Sequence, residues 1–252
     1  MRRNNPYKWW NLLFFLGVLV VNTLSVTLPL GGNSTGEISD RYHTYLTPAG
    51  YAFSIWSLIY LLLAGFVVYQ FRQDTGSRDS ILSIGIWFVL SCIFNMGWLF
   101  LWHYLYIELS LAAMVLMLVT LVVIYRKTSS PADPTSGEKW LVKLPFSIYL
   151  GWISVATIVN ISVVLEKNHW DGFGLSDPAW AVIILSIGTL LAVVVSFPFR
   201  DSIYPLVFMW AYIAIALEHN DTNSVFITGL VTACLLLLYS IWLLLTPRRS
   251  RY

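Results

Sequence analysis

Long apolar stretches with almost no charge constrain the fold of this chain more than any other feature. Eight such stretches follow one another, and each approaches the ~20 residues that a helix needs to cross ~30 Å of hydrocarbon. Hydrophobic residues make up 58% of the 252 residues and charged residues only 11%, against roughly 25% charged in an average soluble domain. The stretches are unbroken rather than alternating, which favours helices over membrane strands. The sequence therefore predicts an integral membrane protein made of helices.

The predicted architecture is an all-α, polytopic transmembrane helix bundle of about eight spans. The spans cover residues 9–30, 51–71, 80–103, 109–125, 143–165, 179–197, 203–218 and 223–246. The seventh is short and carries Pro205 near its start, so a re-entrant segment is an alternative for it. The first follows two arginines, as in a signal peptide, but its apolar run is long and no small-residue cleavage site follows. We interpret it as a retained helix.

The basic residues support this count and indicate an orientation. Cytoplasmic loops are enriched in Lys and Arg. If the N-terminus is cytoplasmic, all but two of the 15 basic residues fall in cytoplasmic segments, and the exceptions are Arg41 and Lys167. Removing the seventh span would move the cluster from Arg248 to Arg251 to the outside and weaken the asymmetry. We therefore expect eight crossings with both termini in the cytoplasm.

Reactive side chains are scarce inside the predicted spans. The acidic and basic residues fall at span ends, where snorkelling brings their charges to the headgroup region. Charged residues at the centre of a span mark ion paths and proton relays, so a proton-coupled transporter, a rhodopsin-like pigment protein and a metal enzyme are disfavoured. Cys92 and Cys234 lie in apolar runs, with no second thiol or histidine at ligand spacing. We expect no metal site, no cofactor and no nucleic-acid partner, and the bilayer is the main partner.

Some of the 12 tryptophans lie deeper than the headgroup level at which Trp and Tyr usually gather. Trp56, Trp98 and Trp152 each lie several residues inside a predicted span, and a buried indole N–H needs a hydrogen-bond partner. Helical spacing places Trp56 on one face with Tyr60, Asn95 with Trp98, and Trp152 with Ala156 and Asn160. Spacing alone leaves two interpretations open. These residues either join packed helices, with the asparagines bonding across them, or line a ligand pocket.

Three stretches with distinctive spacing decide how these faces are interpreted. The first is TPAGYAFSIWSLIY, from Thr47 to Tyr60; the second is NMGW, from Asn95 to Trp98; the third is WISVATIVN, from Trp152 to Asn160. They resemble, in order, the PPGW-x-F…VW-x-x-LY, N-x-x-W and W-V-S-F-A-T-x-x-N motifs of the second, third and fifth helices of the TspO/MBR family. These are the tryptophan-rich sensory proteins related to the mitochondrial translocator protein. The chain is similar to an extended form of this family with extra C-terminal helices.

The resemblance implies an organisation and a set of site residues. Residues 1–166 would be a TspO/MBR-like five-helix transmembrane domain, and residues 167–252 would add three transmembrane helices. The family's bundle receives flat apolar ligands such as porphyrins, haem-related tetrapyrroles and sterols. The ligand-binding residues carried over by motif are Trp56, Tyr60, Asn95, Trp98, Trp152, Ala156 and Asn160. Residues 31–50 would form a lid, which ends at Pro48, Gly50 and Tyr51. The resemblance also implies a bacterial cell membrane and a homodimer.

The function expected from this resemblance is that of an integral membrane binding or sensory protein for flat hydrophobic ligands such as porphyrins or other tetrapyrroles. Involvement in the transport of these ligands is a further expectation. The three extra helices motivate an alternative, a passive transporter of another hydrophobic solute. A structural membrane assembly partner without a small ligand is a further alternative. The resemblance also leaves open an enzyme that degrades a bound porphyrin. We do not expect an enzyme, because no acid–base pair or metal site in the sequence supports catalysis.

Overall fold

The computed structural model describes residues 5–28, 30–72, 78–130 and 134–246, and within these ranges it contains helices and no strands. Eight long helices occupy the eight predicted spans, which confirms the predicted all-α bundle. Their bounds are α1 Lys8–Thr27, α2 Ile55–Tyr69, α3 Trp87–His103, α4 Ile107–Ser129, α5 Leu144–Lys167, α6 Asp177–Ser196, α7 Tyr204–Glu218 and α8 Asn223–Leu245. The arginines at the two ends of the chain, on which part of the orientation depends, lie outside the described residues.

Helix length agrees with membrane crossing. Among the described residues, six helical segments are long and apolar enough to span a bilayer, and α3 and α7 are shorter apolar helices. α3 has 17 residues and follows a separate helical turn, Asp79–Leu82. Gly85 lies between them with a φ of +55°, a conformation that costs little only for glycine. α7 is one continuous helix of 15 residues, about 22 Å long at 1.5 Å per residue.

Large apolar side chains cover the outward faces of the helices. Leu61 on α2 is 70% exposed, Leu190 on α6 is 66% exposed and Leu245 at the end of α8 is 76% exposed. Monomeric soluble proteins rarely expose apolar patches of this extent, whereas lipid tails accept such side chains directly. The exposed leucines therefore agree with the hydropathy of the helices, and the protein is an integral membrane protein.

Close contacts divide the chain into two compact units. The first groups the described parts of Met1–Arg41 and Ile55–Val164, and it contains α1 to α4 and most of α5. The second groups Tyr42–Ser54 with the described part of Leu165–Tyr252, and it contains α6 to α8. The division at residue 166 stays a prediction, but the contacts place one segment of the loop before α2 with the C-terminal helices.

Aromatic side chains fill the core of the first unit. Phe66 on α2, Phe88 on α3 and Phe146 on α5 are fully buried, and their rings meet edge-on with centroids 5.0 to 6.0 Å apart. Such pairs contribute ~0.5–1.5 kcal/mol beyond the apolar area they bury. This triad joins three helices on which the sequence motifs of the candidate site lie.

A carboxylate joins two interhelical connections at one end of the first unit. Thr135 caps the short helical turn Ser136–Glu138 that precedes α5, and it exchanges hydrogen bonds with Glu138 in a capping box. Glu138 also accepts a hydrogen bond from Ser80 at 2.5 Å and forms an ion pair with Arg78 at 2.8 Å. The α2–α3 and α4–α5 connections therefore lie at the same end of the unit, as alternate crossings require.

In the second unit, helices α7 and α8 pack at close distance. A Cβ added at Gly229 on α8 would lie 2.9 Å from the Cβ of Ala216 and 3.1 Å from the carbonyl oxygen of Tyr212, both on α7. At the start of α7, Arg200 donates hydrogen bonds to Thr246, just beyond α8, and its guanidinium lies 5.1 Å from the Trp242 ring. The α6–α7 connection and the end of α8 thus lie together, again as alternate crossings require.

Candidate functional site

Four aromatic rings from two helices form a cluster inside the first unit. Trp56 and Tyr60, one turn apart on α2, stack with ring centroids 5.4 Å apart. Tyr149 and Trp152, three residues apart on α5, each meet Trp56 edge-on, at 5.9 and 6.3 Å. The tyrosine and the tryptophan of α5 are buried, whereas Trp56 and Tyr60 are half-buried. The structure thus brings together three predicted site residues, Trp56, Tyr60 and Trp152.

A chain of side-chain hydrogen bonds runs beside this aromatic cluster. The Tyr60 hydroxyl donates to Asn22 Oδ1 at 2.7 Å, and Asn22 Nδ2 donates to Asn95 Oδ1 at 3.1 Å. Asn95 Nδ2 donates to the Tyr149 hydroxyl oxygen at 3.2 Å, and that hydroxyl donates to the Met117 sulfur at 3.2 Å. The chain therefore links α1, α2, α3, α5 and α4 in one continuous series, which we call the polar chain.

Burial makes the polar chain energetically significant. Asn95 is 1% exposed and lies in the interior of an apolar helix. An amide without partners in such surroundings costs several kcal/mol, whereas one with its bonds made contributes a modest net stabilisation. The partners fix the orientation of each amide, so the polar chain holds the aromatic cluster in one arrangement. Such an arrangement suits recognition of a ligand with a rigid, flat shape.

The predicted site residue Trp98 lies in a second aromatic pair. Its ring stacks on Trp102 at 6.0 Å, and it has no ring contact with the four-ring cluster within the described residues. Trp98 is 7% exposed, and its indole N–H is buried with no hydrogen-bond partner in the described part of the chain. Trp102, by contrast, donates its N–H to the carbonyl oxygen of Thr35 at 3.3 Å. Trp98 thus retains an unused donor three residues from Asn95.

Asn160 and Ala156 continue the face of Trp152 along α5. Asn160 is buried and its Nδ2 lies 3.4 Å from the Ser110 hydroxyl on α4. This long contact joins two helices, as the helix-packing interpretation of the asparagines requires. Ala156 is half-buried and lies one turn beyond Trp152. The two residues therefore lie next to the cluster in sequence, but no hydrogen bond of the polar chain includes them.

The loop after α1 is fastened to the end of α3. The His103 ring, fully buried, lies 3.1 Å from the carbonyl oxygen of Leu30 through Nδ1 and 2.9 Å from the Thr35 hydroxyl through Nε2. A carbonyl oxygen only accepts, so Nδ1 carries the hydrogen, and in a neutral ring Nε2 then accepts from the Thr35 hydroxyl. The short loop helix Thr35–Arg41 is therefore tied to the same helix that carries Asn95 and Trp98.

The three residues predicted for the end of the lid belong to the second unit. Pro48 is buried, whereas Gly50 and Tyr51 are exposed at the start of the 3-10 turn Gly50–Ser54. Tyr51 meets Trp210 of α7 edge-on at 5.3 Å. The predicted lid is therefore divided between the two units: its first part contacts α3, and its last part contacts α7.

Potential metal ligands and thiols are dispersed in the part of the chain that the structure describes. It contains no group of three or more His, Cys, Asp or Glu side chains arranged to hold a metal ion. Cys92 is buried in α3 and Cys234 is exposed on α8, and both are free thiols. The candidate site itself is made of indoles, phenols and carboxamides, which suits binding of an uncharged surface rather than proton transfer.

Sequence reasoning missed two members of the site, Asn22 and Tyr149. Asn22 is a carboxamide inside the apolar run of α1, which is a signal that the sequence offered. Tyr149 lies three residues before Trp152 and therefore on the same helical face, but it precedes the WISVATIVN motif. Both became recognisable only through their bonds to Asn95.

Comparison with known proteins places this geometry in a family. A family model described as TSPO-like protein matches residues 8–242. The chain belongs to the TSPO-like family. The matched length includes α6, α7 and most of α8, so the family likeness extends well beyond Asn160, where the last sequence motif ends. No curated protein and no solved structure matches the chain. Membership of the TSPO-like family supports a membrane protein with a sensory or binding role.

Proposed function

We propose that this TSPO-like protein binds flat, apolar ligands of the porphyrin or tetrapyrrole class against the aromatic cluster of the first unit. The observation that carries the proposal is the convergence of Trp56 and Tyr60 from α2 with Tyr149 and Trp152 from α5. A planar macrocycle stacks favourably on indole and phenol faces, and spaces between bundle helices are common ligand sites. Trp56, only half-buried, supplies a face that a ligand can reach.

Polar groups beside the cluster would orient such a ligand. The Trp98 N–H, which has no partner in the described part of the chain, is a donor for a ligand carbonyl oxygen, and a hydrogen bond made by a buried donor contributes more than one made by an exposed donor. No charged side chain belongs to the cluster or to the polar chain. The carboxylates of an acidic tetrapyrrole would therefore lie toward the membrane surface, where charges stay hydrated.

Binding is favoured over passage and over catalysis for two physical reasons. The polar chain fastens five helices together, and a solute that crossed the bundle would have to break these bonds. The cluster also lacks a carboxylate or imidazole for acid–base chemistry. We therefore propose a receptor or sensor, with the more basic loops facing the cytoplasm. Flux of a porphyrin into proteoliposomes that stops on removing the Trp152 indole would instead favour a transporter.

The test is a titration of the protein in mild detergent with protoporphyrin IX, followed by the quenching of tryptophan fluorescence. We expect saturable quenching, and we expect Trp152→Ala to weaken the apparent affinity about tenfold, because one stacking partner of about 1 kcal/mol or more is lost. Trp242→Phe on α8 in the second unit is the matched control, since it also removes one indole. Quenching that does not saturate, or equal affinity in Trp152→Ala, would sink the proposal.

A further inference from the structure

The segment Tyr42–Ser54 is held by α7 through three contacts. The Ala49 amide donates to the carbonyl oxygen of Ala214 at 3.2 Å. The Trp210 indole N–H donates to the carbonyl oxygen of Ala52 at 3.2 Å, and its ring meets Tyr51 edge-on. The backbone of the segment thus pairs with a helix that no motif of the candidate site includes. These contacts give the C-terminal helices a role that ligand binding does not explain.

A buried histidine completes the contact at the end of α7. His219 is 4% exposed, and its Nε2 lies 3.1 Å from the carbonyl oxygen of Thr47. A carbonyl oxygen only accepts, so this nitrogen carries the hydrogen. The ring centroid of His219 lies 5.1 Å from that of His43 and 5.3 Å from that of Tyr45, both on the segment. The neutral ring is therefore enclosed by the segment that it binds.

The groups around His219 favour its neutral form. Burial lowers the pKa of His219 from its ordinary value of 6.5, and the neighbouring His43 acts in the same direction. The bond to Thr47 and the carboxylates of Glu218 and Asp221 act in the opposite direction, but the pKa remains lowered. A proton on His219 is therefore bound more readily when the segment no longer covers the ring.

We infer that α7 and its C-terminal connection form a proton-sensitive clamp, which holds the segment Tyr42–Ser54 while His219 is neutral and releases it when His219 is protonated. Release is expected as the pH falls below the ordinary histidine range, because the released state then binds the additional proton. The clamp does not depend on the proposed ligand binding. The clamp itself is a property of the second unit and is tested without ligand.

The experiment measures the mobility of a nitroxide on the segment in the full chain, reconstituted in lipid nanodiscs. Cys92→Ala and Cys234→Ala remove the native thiols, and Gly50→Cys provides the labelling position. A Cβ at Gly50 meets no atom within 4 Å, so the label leaves the contacts intact. Between about pH 8 and about pH 5, where histidine titrates, we expect a several-fold, reversible rise of the mobile spectral component.

Three histidine variants separate the clamp from a general effect of acid. His219→Gln keeps an N–H donor without a titrating ring, and it should abolish the pH response. His43→Gln should reduce the response, because His219 then accepts a proton more easily while still covered. His169→Asn, at an exposed histidine of the α5–α6 connection, should leave it unchanged. Constant mobility of the label in the parent chain would overturn the inference, as would an undiminished response in His219→Gln.

Discussion

The two units of the chain satisfy their buried polar groups in different ways. In the first, side chains bond to side chains across helices, from Tyr60 through Asn22 and Asn95 to Tyr149. In the second, one bond between side chains joins Ser196 on α6 to Tyr239 on α8 at 3.3 Å, and the buried Tyr212 hydroxyl of α7 donates to the backbone carbonyl of Leu185 on α6 at 3.1 Å. A backbone carbonyl is present whatever residue occupies its position, whereas a bond between side chains needs two particular residues. The interior of the first unit therefore depends on residue identity, and that of the second on how closely its helices approach.

The largest expected effect is at the centre of the polar chain. Asn95→Leu keeps the shape of the side chain but removes the two buried hydrogen bonds that Asn95 makes with Asn22 and Tyr149, a loss of about 1–3 kcal/mol in total. Tyr212→Phe in the second unit should cost less, about 0.5–1.5 kcal/mol. Unfolding of the two variants in detergent, followed by circular dichroism, measures the difference. Equal losses of unfolding free energy in the two variants would contradict the distinction between the units.

A second comparison concerns helix approach. Gly229→Val forces a side chain against Ala216 and the backbone of Tyr212, and overpacking of this kind costs about 1–3 kcal/mol. Gly97→Val on α3 is the matched control, because a Cβ there meets no atom within 4 Å. The same unfolding measurement applies. If Gly97→Val lowered the free energy of unfolding more than Gly229→Val, the stability of the first unit would also depend on close helix packing rather than on residue identity.

The smallest effect on stability is expected at Trp98. Trp98→Phe removes an N–H that has no partner in the described part of the chain, so the free energy of unfolding should change by less than about 1 kcal/mol. Trp102→Phe removes a donor to Thr35 and should cost more. If Trp98 donates to a bound porphyrin, Trp98→Phe should weaken porphyrin binding despite its small structural cost. If Trp98→Phe lost stability but bound porphyrin normally, the role of the Trp98 indole would be in helix packing rather than in ligand binding.

Hydropathy predicted the helices well because the length of an apolar run is a local property of the sequence. The eight helices lie where the eight runs lie, and the seventh span is a continuous helix rather than a broken one. The differences arise where the backbone turns. The predicted span 80–103 is interrupted around Gly85, and the predicted span 51–71 begins with the 3-10 turn Gly50–Ser54 before α2 starts at Ile55.

The site was predictable only in part, because helical spacing identifies residues on one face but not the helix that this face meets. The ring of Trp56 contacts those of Tyr60 and Trp152. Asn95 is joined to Tyr60 by hydrogen bonds through Asn22. Asn22 contacts residues 38 and 73 positions away in the sequence, and no local pattern indicates such contacts. The pairing of Tyr42–Ser54 with α7 is more distant still, because Ala52 and Trp210 are 158 positions apart in the sequence.

The polar chain also has a direction that cannot reverse. Asn22 Nδ2 donates to the carbonyl oxygen of Val18 as well as to Asn95, and a carbonyl oxygen accepts only, so the Asn22 amide cannot turn over. Its Oδ1 consequently takes the hydrogen of Tyr60. The phenol oxygen of Tyr60 then faces its surroundings with lone pairs alone. A guest molecule that brings its own N–H or O–H to this oxygen gains a bond that a guest bearing only acceptor atoms does not.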